Sequence, residues 1–464
     1  MKRAFFIFIL FLSPVFSLQA AAKDEDIMVP VMGQSVHIFD QSAGEKRPWY
    51  INDHCIVKGP DGRWHLFGIT HEKEIVPPAW SEHFFAHASS PSLLQIPWQK
   101  HPLALKYDRK LGETHIWAPH IIEKDGTYYM FYAAGGGHWD SMIDLATSKD
   151  LFKWERPLVN PLFRDFYDAR DPMVLKHGDE YLLYYCKTFS KDDHRSTVAL
   201  RHSKDLVHWS EPEFALVLSD FPRIQNSGHT ESPFVFERLG KFYMIVCTPY
   251  YHYRLTRVFV SDNPFKFDEK NEVTAFVAHC AEIVNDNGNF YASHAGWFYE
   301  GAYLAPLSWM TSKKFEPQFI FLNSGENDDF LVSQINTKVG NSDLTGRFPT
   351  NKVIGMQKGG NVVYKIPIPA GVKLVQLFIC GKGDYQISIA GAKLDKPKDP
   401  SSSEGLDLYW LDDEKSWSGG TLELEVSSPD GEYQLNFLRL YFLDNVGVGL
   451  APPRQGKASL APTQ

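Results

Sequence analysis

Cysteine is scarce. The chain has five in 464 residues, and no two form a Cys-x-x-Cys pair. That pattern excludes close-paired zinc and thiol-redox motifs. The odd count leaves at least one thiol unpaired unless two chains are joined. Cys186 and Cys247 end equivalent strands of a repeat described below. With Cys55, Cys280 and Cys380 they read as small buried hydrophobes, and a Cys186–Cys247 disulfide stays open. Positive charge is also short. Lys and Arg number 47 against 56 Asp and Glu, a net charge of −9, and no basic stripe appears. Nucleic acid is therefore a poor partner. Gly-x-Ser-x-Gly, Walker and Rossmann glycine motifs are missing, which removes support for serine-hydrolase and nucleotide chemistry. Beyond the N-terminus, no stretch approaches the roughly twenty apolar residues of a membrane span.

The N-terminus itself reads as a targeting segment. Lys2-Arg3 is a basic start, Ala4 to Phe16 is nearly all apolar, and Ala20-Ala21-Ala22 offers a small-residue cleavage site. A signal peptide over 1–22 is expected. The mature protein would then be periplasmic or secreted, with no membrane contact after cleavage.

Aromatics are plentiful at 14%, which suits β-rich folds. They recur in a pattern: a turn with Gly, then an aromatic strand. The five copies are Asp61-Gly-Arg-Trp-His-Leu-Phe67, Asp125-Gly-Thr-Tyr-Tyr-Met-Phe131, Gly178-Asp-Glu-Tyr-Leu-Leu-Tyr184, Leu239-Gly-Lys-Phe-Tyr-Met-Ile245 and Asn287-Gly-Asn-Phe-Tyr-Ala-Ser293. Their starts lie 48 to 64 residues apart. An apolar run precedes each, so each copy predicts a β-hairpin. A second pattern follows most hairpins: Ser148-Lys-Asp-Leu-Phe-Lys-Trp154 matches Ser203-Lys-Asp-Leu-Val-His-Trp209. It predicts a third strand, a turn and a short outer strand. Four strands repeated at this period describe propeller blades, and no helical period intervenes.

The expected fold class is all-β: a five-bladed β-propeller followed by a C-terminal β-sandwich. The expected organisation is an N-terminal extension over 23–46, the propeller over 47–315, a linker over 316–357, the sandwich over 358–445 and a disordered tail over 446–464.

In a propeller, polar residues just before each innermost strand converge on the channel mouth. Blade 1 offers Asn52-Asp53-His54, blade 2 His115-Ile-Trp117 and blade 3 Arg170-Asp171-Pro172. Blade 4 offers His229-Thr-Glu231, and blade 5 offers His279, Glu282, His294 and Trp297. Three blades place an acid at almost the same phase: Asp53, Asp171 and Glu231. Turn chemistry explains any one of them but not their alignment. Glycoside cleavage needs two carboxyl groups flanking the bond, and a third nearby raises the proton affinity of one. Arg170 could hold an oxyanion or a sugar hydroxyl. Asn52, His115 and His294 are candidate hydroxyl binders, and Trp117 and Trp297 candidate stacking faces; core packing is the alternative for the rings. No spacing marks a metal site, and no cofactor is required, with a structural ion in the channel left open.

These motifs resemble the five-bladed glycoside hydrolases of families 43, 32 and 68. Asn52-Asp53 ahead of Asp61-Gly-Arg-Trp is similar to the blade-1 motif of fructosidases, and Arg170-Asp171-Pro172 matches their Arg-Asp-Pro. Glu231-Ser232-Pro233 sits where they carry Glu-Cys-Pro and family 43 carries Glu-Gly-Pro. Trp117-Ala-Pro119 is closer to family 43. The resemblance covers roughly 47–311. It implies Asp171 as transition-state stabiliser, Glu231 as general acid, and Asp53 as nucleophile in a retaining enzyme or general base in an inverting one. His54-Cys55 and Ser232 depart from the pattern. The expected activity is hydrolysis of an arabinoside, xyloside or fructoside within an oligo- or polysaccharide. The alternatives are a transglycosylase on the same site and a non-catalytic carbohydrate-binding propeller.

Overall fold

The computed structural model describes residues 26–444 except 74–81, 136–140, 166–167, 189–194, 220–229, 249–253, 297–300, 314–318, 324–329, 342–351, 397–405 and 412–417. The expected signal peptide and the expected tail lie outside the described residues.

Each predicted hairpin forms, and its turn chemistry explains why. Asp125-Gly126, Leu239-Gly240 and Asn287-Gly288 are two-residue loops with positive φ at both positions, 51° to 53° and then 70° to 89°. That geometry matches the right-handed twist of the flanking strands, and glycine adopts it without strain. The turn after the third strand is built by side chains. Ser148 Oγ accepts the Leu151 amide at 2.8 Å, and Asp150 Oδ1 accepts those of Phe152 and Lys153 at 2.9 and 2.8 Å. Ser203 and Asp205 repeat this for Leu206, Val207 and His208. These short polar side chains replace backbone partners that no strand supplies there.

Four antiparallel blades follow in order, starting from inner strands Trp49–Lys58, Trp117–Lys124, Arg170–His177 and Glu231–Arg238. The fifth starts at Glu282–Asp286, and its outermost strand is Asp26–Met32 from the far end of the chain. Val29 pairs with Met310 there, and Val36–Phe39 pairs the same blade from Leu304 to Ala302. Residues 23–46 were expected as an extension; their described strands instead complete blade 5 and tie the two ends of the ring.

Five apolar clusters fill the five junctions between blades. Phe67 and Met130 join blades 1 and 2, Phe131 and Leu183 blades 2 and 3, and Leu200 and Met244 blades 3 and 4. Ile245 and Trp309 join blades 4 and 5, and Leu66 and Leu304 close blade 5 onto blade 1. One cluster per junction is what makes the ring a closed core.

The second domain is an eight-stranded sheet folded over into a sandwich. Its long strand, Lys352–Gly383, changes partner near Gly359 and Gly371, where φ is 73° and 78°. Part of the expected linker belongs here: Phe319–Asn323 and Leu331–Asn341 both pair into this sheet. The sandwich packs on the outer strand of blade 4, Glu272–Val277. Glu272 there is bound by Arg257 of the blade and by Arg439 and Tyr441 of the sandwich.

Candidate active site

The inner strands share one irregularity that aims side chains at the channel. Pairing skips from Ile51 to His54, Trp117 to His120, Arg170 to Met173 and Glu231 to Phe234. The second residue of the skip has positive φ at Ala118 (47°), Asp171 (56°) and Ser232 (50°); Cys280 (45°) stands in the matching place of blade 5. A non-glycine residue held this way costs about 1–3 kcal/mol, a strain typical of functional sites. The skip also refines the phase of the acids. Glu231 holds the first position, Asp171 the second and Asp53 the third. An open cavity of about 290 Å³ is lined by the later positions, including Asp53, Asp171, Ser232 and, deeper, His120 and Glu282.

Two residues bind the acids together. Ser232 donates its hydroxyl to Asp53 Oδ1 and its amide to Asp171 Oδ2, the latter at 2.9 Å. Arg170 donates to Asp168 at 2.9 Å and to Asp171 at 3.2 Å, and its Nη1 lies 3.1 Å from Glu231 Oε1. Its third nitrogen is fixed by the Thr230 carbonyl at 2.9 Å. The Glu231 side chain keeps 20% exposure against 7% for Asp171. Glu231 is thus the more exposed of the two, and Asp171 lines the cavity. Burial pushes the Asp171 carboxyl up to about 7; Arg170 pulls it down, and Asp53 pushes it up. One acid in this cluster therefore changes charge near neutral pH.

The remaining candidates divide. Asn52 Oδ1 lies 2.9 Å from His279 Nε2, which is itself 3.9 Å from Asp53 Oδ2. Asn52 thereby helps set the histidine beside the acid. Trp117 is half-buried at the mouth with the His115 ring stacked on it, centroids 3.6 Å apart. His115 is buried, and its Nδ1 lies 3.1 Å from Thr114 Oγ1. His294 is fully buried, with Nε2 2.8 Å from Ser35 Oγ and its ring stacked on Tyr303. Direct sugar contact was expected of both histidines. Both rings are buried, stacked on Trp117 and on Tyr303. Trp297 and His229 lie outside the described residues.

His54, one of the departures from the resembled motif, has its ring nitrogens 2.8 Å from Ser293 Oγ and 3.5 Å from Cys280 Sγ. All five cysteines are buried free thiols, so the Cys186–Cys247 disulfide does not form. Among the described residues, Asp53, His279 and Cys280 bring potential metal-ligating atoms within 4.8 Å of one another. That is where a channel ion would find ligands. Sequence reasoning passed over Glu82, whose buried carboxyl accepts the Tyr50 hydroxyl at 2.8 Å. No repeat or motif marks it.

The sequence matches the glycosyl hydrolases family 32 N-terminal domain over residues 48–323, more than half of the chain. The chain belongs to this family. Several curated proteins match a short part of this family 32 member. A xylosidase/arabinosidase of Butyrivibrio fibrisolvens is 45% identical over 66 residues, 14% of this chain and 13% of its own length. A probable arabinan endo-1,5-α-L-arabinosidase C of Aspergillus fumigatus is 36% identical over 69 residues, 14% of this chain and 22% of its own. The chain thus spans about a fifth or less of those relatives. Among solved structures, a family 32 β-fructofuranosidase of Bombyx mori aligns at 15% identity and TM-score 0.46, covering 90% of this chain and 95% of its own. An endo-arabinase of Bacteroides thetaiotaomicron aligns at 15% identity and TM-score 0.47, covering 60% and 100%.

Proposed function

We propose that this family 32 member is a glycosidase, exported through an N-terminal signal peptide to the periplasm or cell exterior. There it cleaves furanoside or pentose-containing glycans: arabinosides, xylosides or fructosides. One observation carries the reading. Three carboxyl groups from blades 1, 3 and 4 are held at one channel mouth by a shared arginine and a shared serine. Glu231, more exposed than Asp171 on the same Arg170, protonates the leaving oxygen. Asp53, fixed by Ser232, attacks the sugar carbon or activates water. Asp171, tied to the same guanidinium as Glu231 and to the same serine as Asp53, stabilises the charge that develops in the sugar and tunes Glu231. The chemistry runs on carboxylates and calls for no cofactor. The short matches to arabinose- and xylose-cleaving enzymes support a pentose; the resemblance of Arg170-Asp171-Pro172 to the fructosidase motif keeps a fructoside beside it.

Product configuration, followed by proton NMR on a panel of aryl glycosides and plant and microbial glycans, tests the assignment. Wild type should cleave at least one member, and Asp53→Asn should not. Retained configuration makes Asp53 the nucleophile; inverted configuration makes it the base. Turnover by Asp53→Asn at the wild-type rate would overturn the reading.

A further inference from the structure

Glu82 lies just ahead of the third strand of blade 1, Phe84–Ser90. Its backbone carbonyl accepts the Ile116 amide of blade 2 at 3.0 Å. Its carboxyl takes the Tyr50 hydroxyl at 2.8 Å and a hydrogen bond from the Trp117 side chain. Tyr50 stands one residue before the irregularity of blade 1, and Trp117 opens that of blade 2. A single carboxyl thus joins the mouths of two inner strands. Among the described residues, the groups that act on it are Tyr50 and Asp53 from blade 1, Trp117 backed by His115 from blade 2, and Asp171 from blade 3. None of these is a lysine or arginine. The adjacent His83 stacks away on Tyr107, centroids 4.0 Å apart. Glu82 is only 7% exposed, whereas Tyr50 is half-buried.

We propose that Glu82 is a positioning residue for hydrolysis whose proton sets the direction of the Tyr50 hydroxyl. With the proton on, the Glu82 O–H donates to Tyr50 Oη, and the Tyr50 hydrogen is free to bond a sugar hydroxyl at the mouth. With the proton lost to solvent, the carboxylate recaptures that hydrogen and the sugar loses a donor. No covalent bond changes. Burial pushes the Glu82 carboxyl up to about 8, with Asp53 and Asp171 adding to it against the Tyr50 and Trp117 bonds. The exchange therefore falls on the alkaline side of neutrality.

This rests on the glycosidase reading, and two measurements keep the two apart. The first is kcat/KM against pH for wild type, Glu82→Gln and Tyr50→Phe. Wild type should lose activity on the alkaline side with a midpoint near 8. Glu82→Gln mimics the protonated state, so it should keep activity at pH 6 and hold it to higher pH than wild type, leaving only the alkaline fall that the general acid itself imposes. Tyr50→Phe should weaken kcat/KM at pH 6 by about tenfold, chiefly through KM, the worth of one hydrogen bond. An unchanged limb in Glu82→Gln, or a wild-type profile in Tyr50→Phe, overturns the proposal. The second is carbon NMR of protein labelled in its glutamate carboxyls. The resonance missing in Glu82→Gln should titrate near 8. Titration in the ordinary carboxylate range overturns the proposal whether or not any glycan is cleaved. Absence of turnover by wild type, with titration near 8, would count against the glycosidase reading alone.

Discussion

Replacing Arg170 by methionine removes the charge that three acids share while keeping the length of the stem. The guanidinium contacts Asp168, Asp171 and Glu231 at 2.9 to 3.2 Å, and its side chain is 11% exposed. Deleting one partner of a buried ionic cluster costs about 3–5 kcal/mol, since the charges left behind lose their compensation. The loss should depend on pH, and the sign follows from Asp171. Its folded carboxyl sits at about 7, above the ordinary 3.8. Between those values the folded state holds a proton that the unfolded state has lost, so wild-type stability falls as pH rises and then levels. Without Arg170 the carboxyl moves higher still. The variant keeps losing stability above pH 7, by about 1.4 kcal/mol per pH unit for one group. Urea midpoints at pH 5 and pH 8.5 read this directly. The deficit of Arg170→Met should be larger at pH 8.5. An equal deficit at both values, or none, would refute the reasoning.

Three further outcomes follow from named contacts. Ser232→Ala removes the hydroxyl that Asp53 accepts and keeps the amide that Asp171 accepts. A hydrogen bond to a charged group is worth about 1.5–3 kcal/mol, so kcat should fall about ten- to hundredfold with the melting temperature nearly unchanged. Glu272→Gln strips the charge held by Arg257 and Arg439 at the interface of propeller and sandwich. Stability should drop by about 3–5 kcal/mol, read as a lower urea midpoint, with kcat unaffected in the folded fraction. Gly301→Ala places a Cβ 2.0 Å from the Phe39 carbonyl at a φ of +99°. Hydrogen exchange should then rise first over residues 26–39, where the ring is tied; uniform protection there would contradict the closure.

The legible part of this chain is the local part. Gly turns and aromatic strands are written within ten residues, so the hairpins, the blade count and the sandwich strands can be read directly. Ring closure cannot, because Val29 and Met310 meet across the whole propeller and neither stretch carries the repeat. The three acids are legible because they recur beside the inner strands. Their separate roles come from the skip in pairing, which puts them at three successive positions. Ser232 is visible in sequence only as a departure from a motif; its two bonds are tertiary. Glu82 is invisible for a similar reason. A glutamate before a strand is ordinarily solvated, and only the packing of blade 1 on blade 2 encloses it.

The most direct test of the central claim uses Glu231→Gln on two glycosides of the same sugar, one with an activated aryl leaving group and one with a natural sugar leaving group. A general acid contributes about 10²- to 10⁴-fold, and only where the departing oxygen needs a proton. Glu231→Gln should therefore keep most of its rate on the activated aryl glycoside and lose about that factor on the natural one. Equal losses on both would contradict Glu231 as the proton donor, and with it the assignment of the three carboxylates.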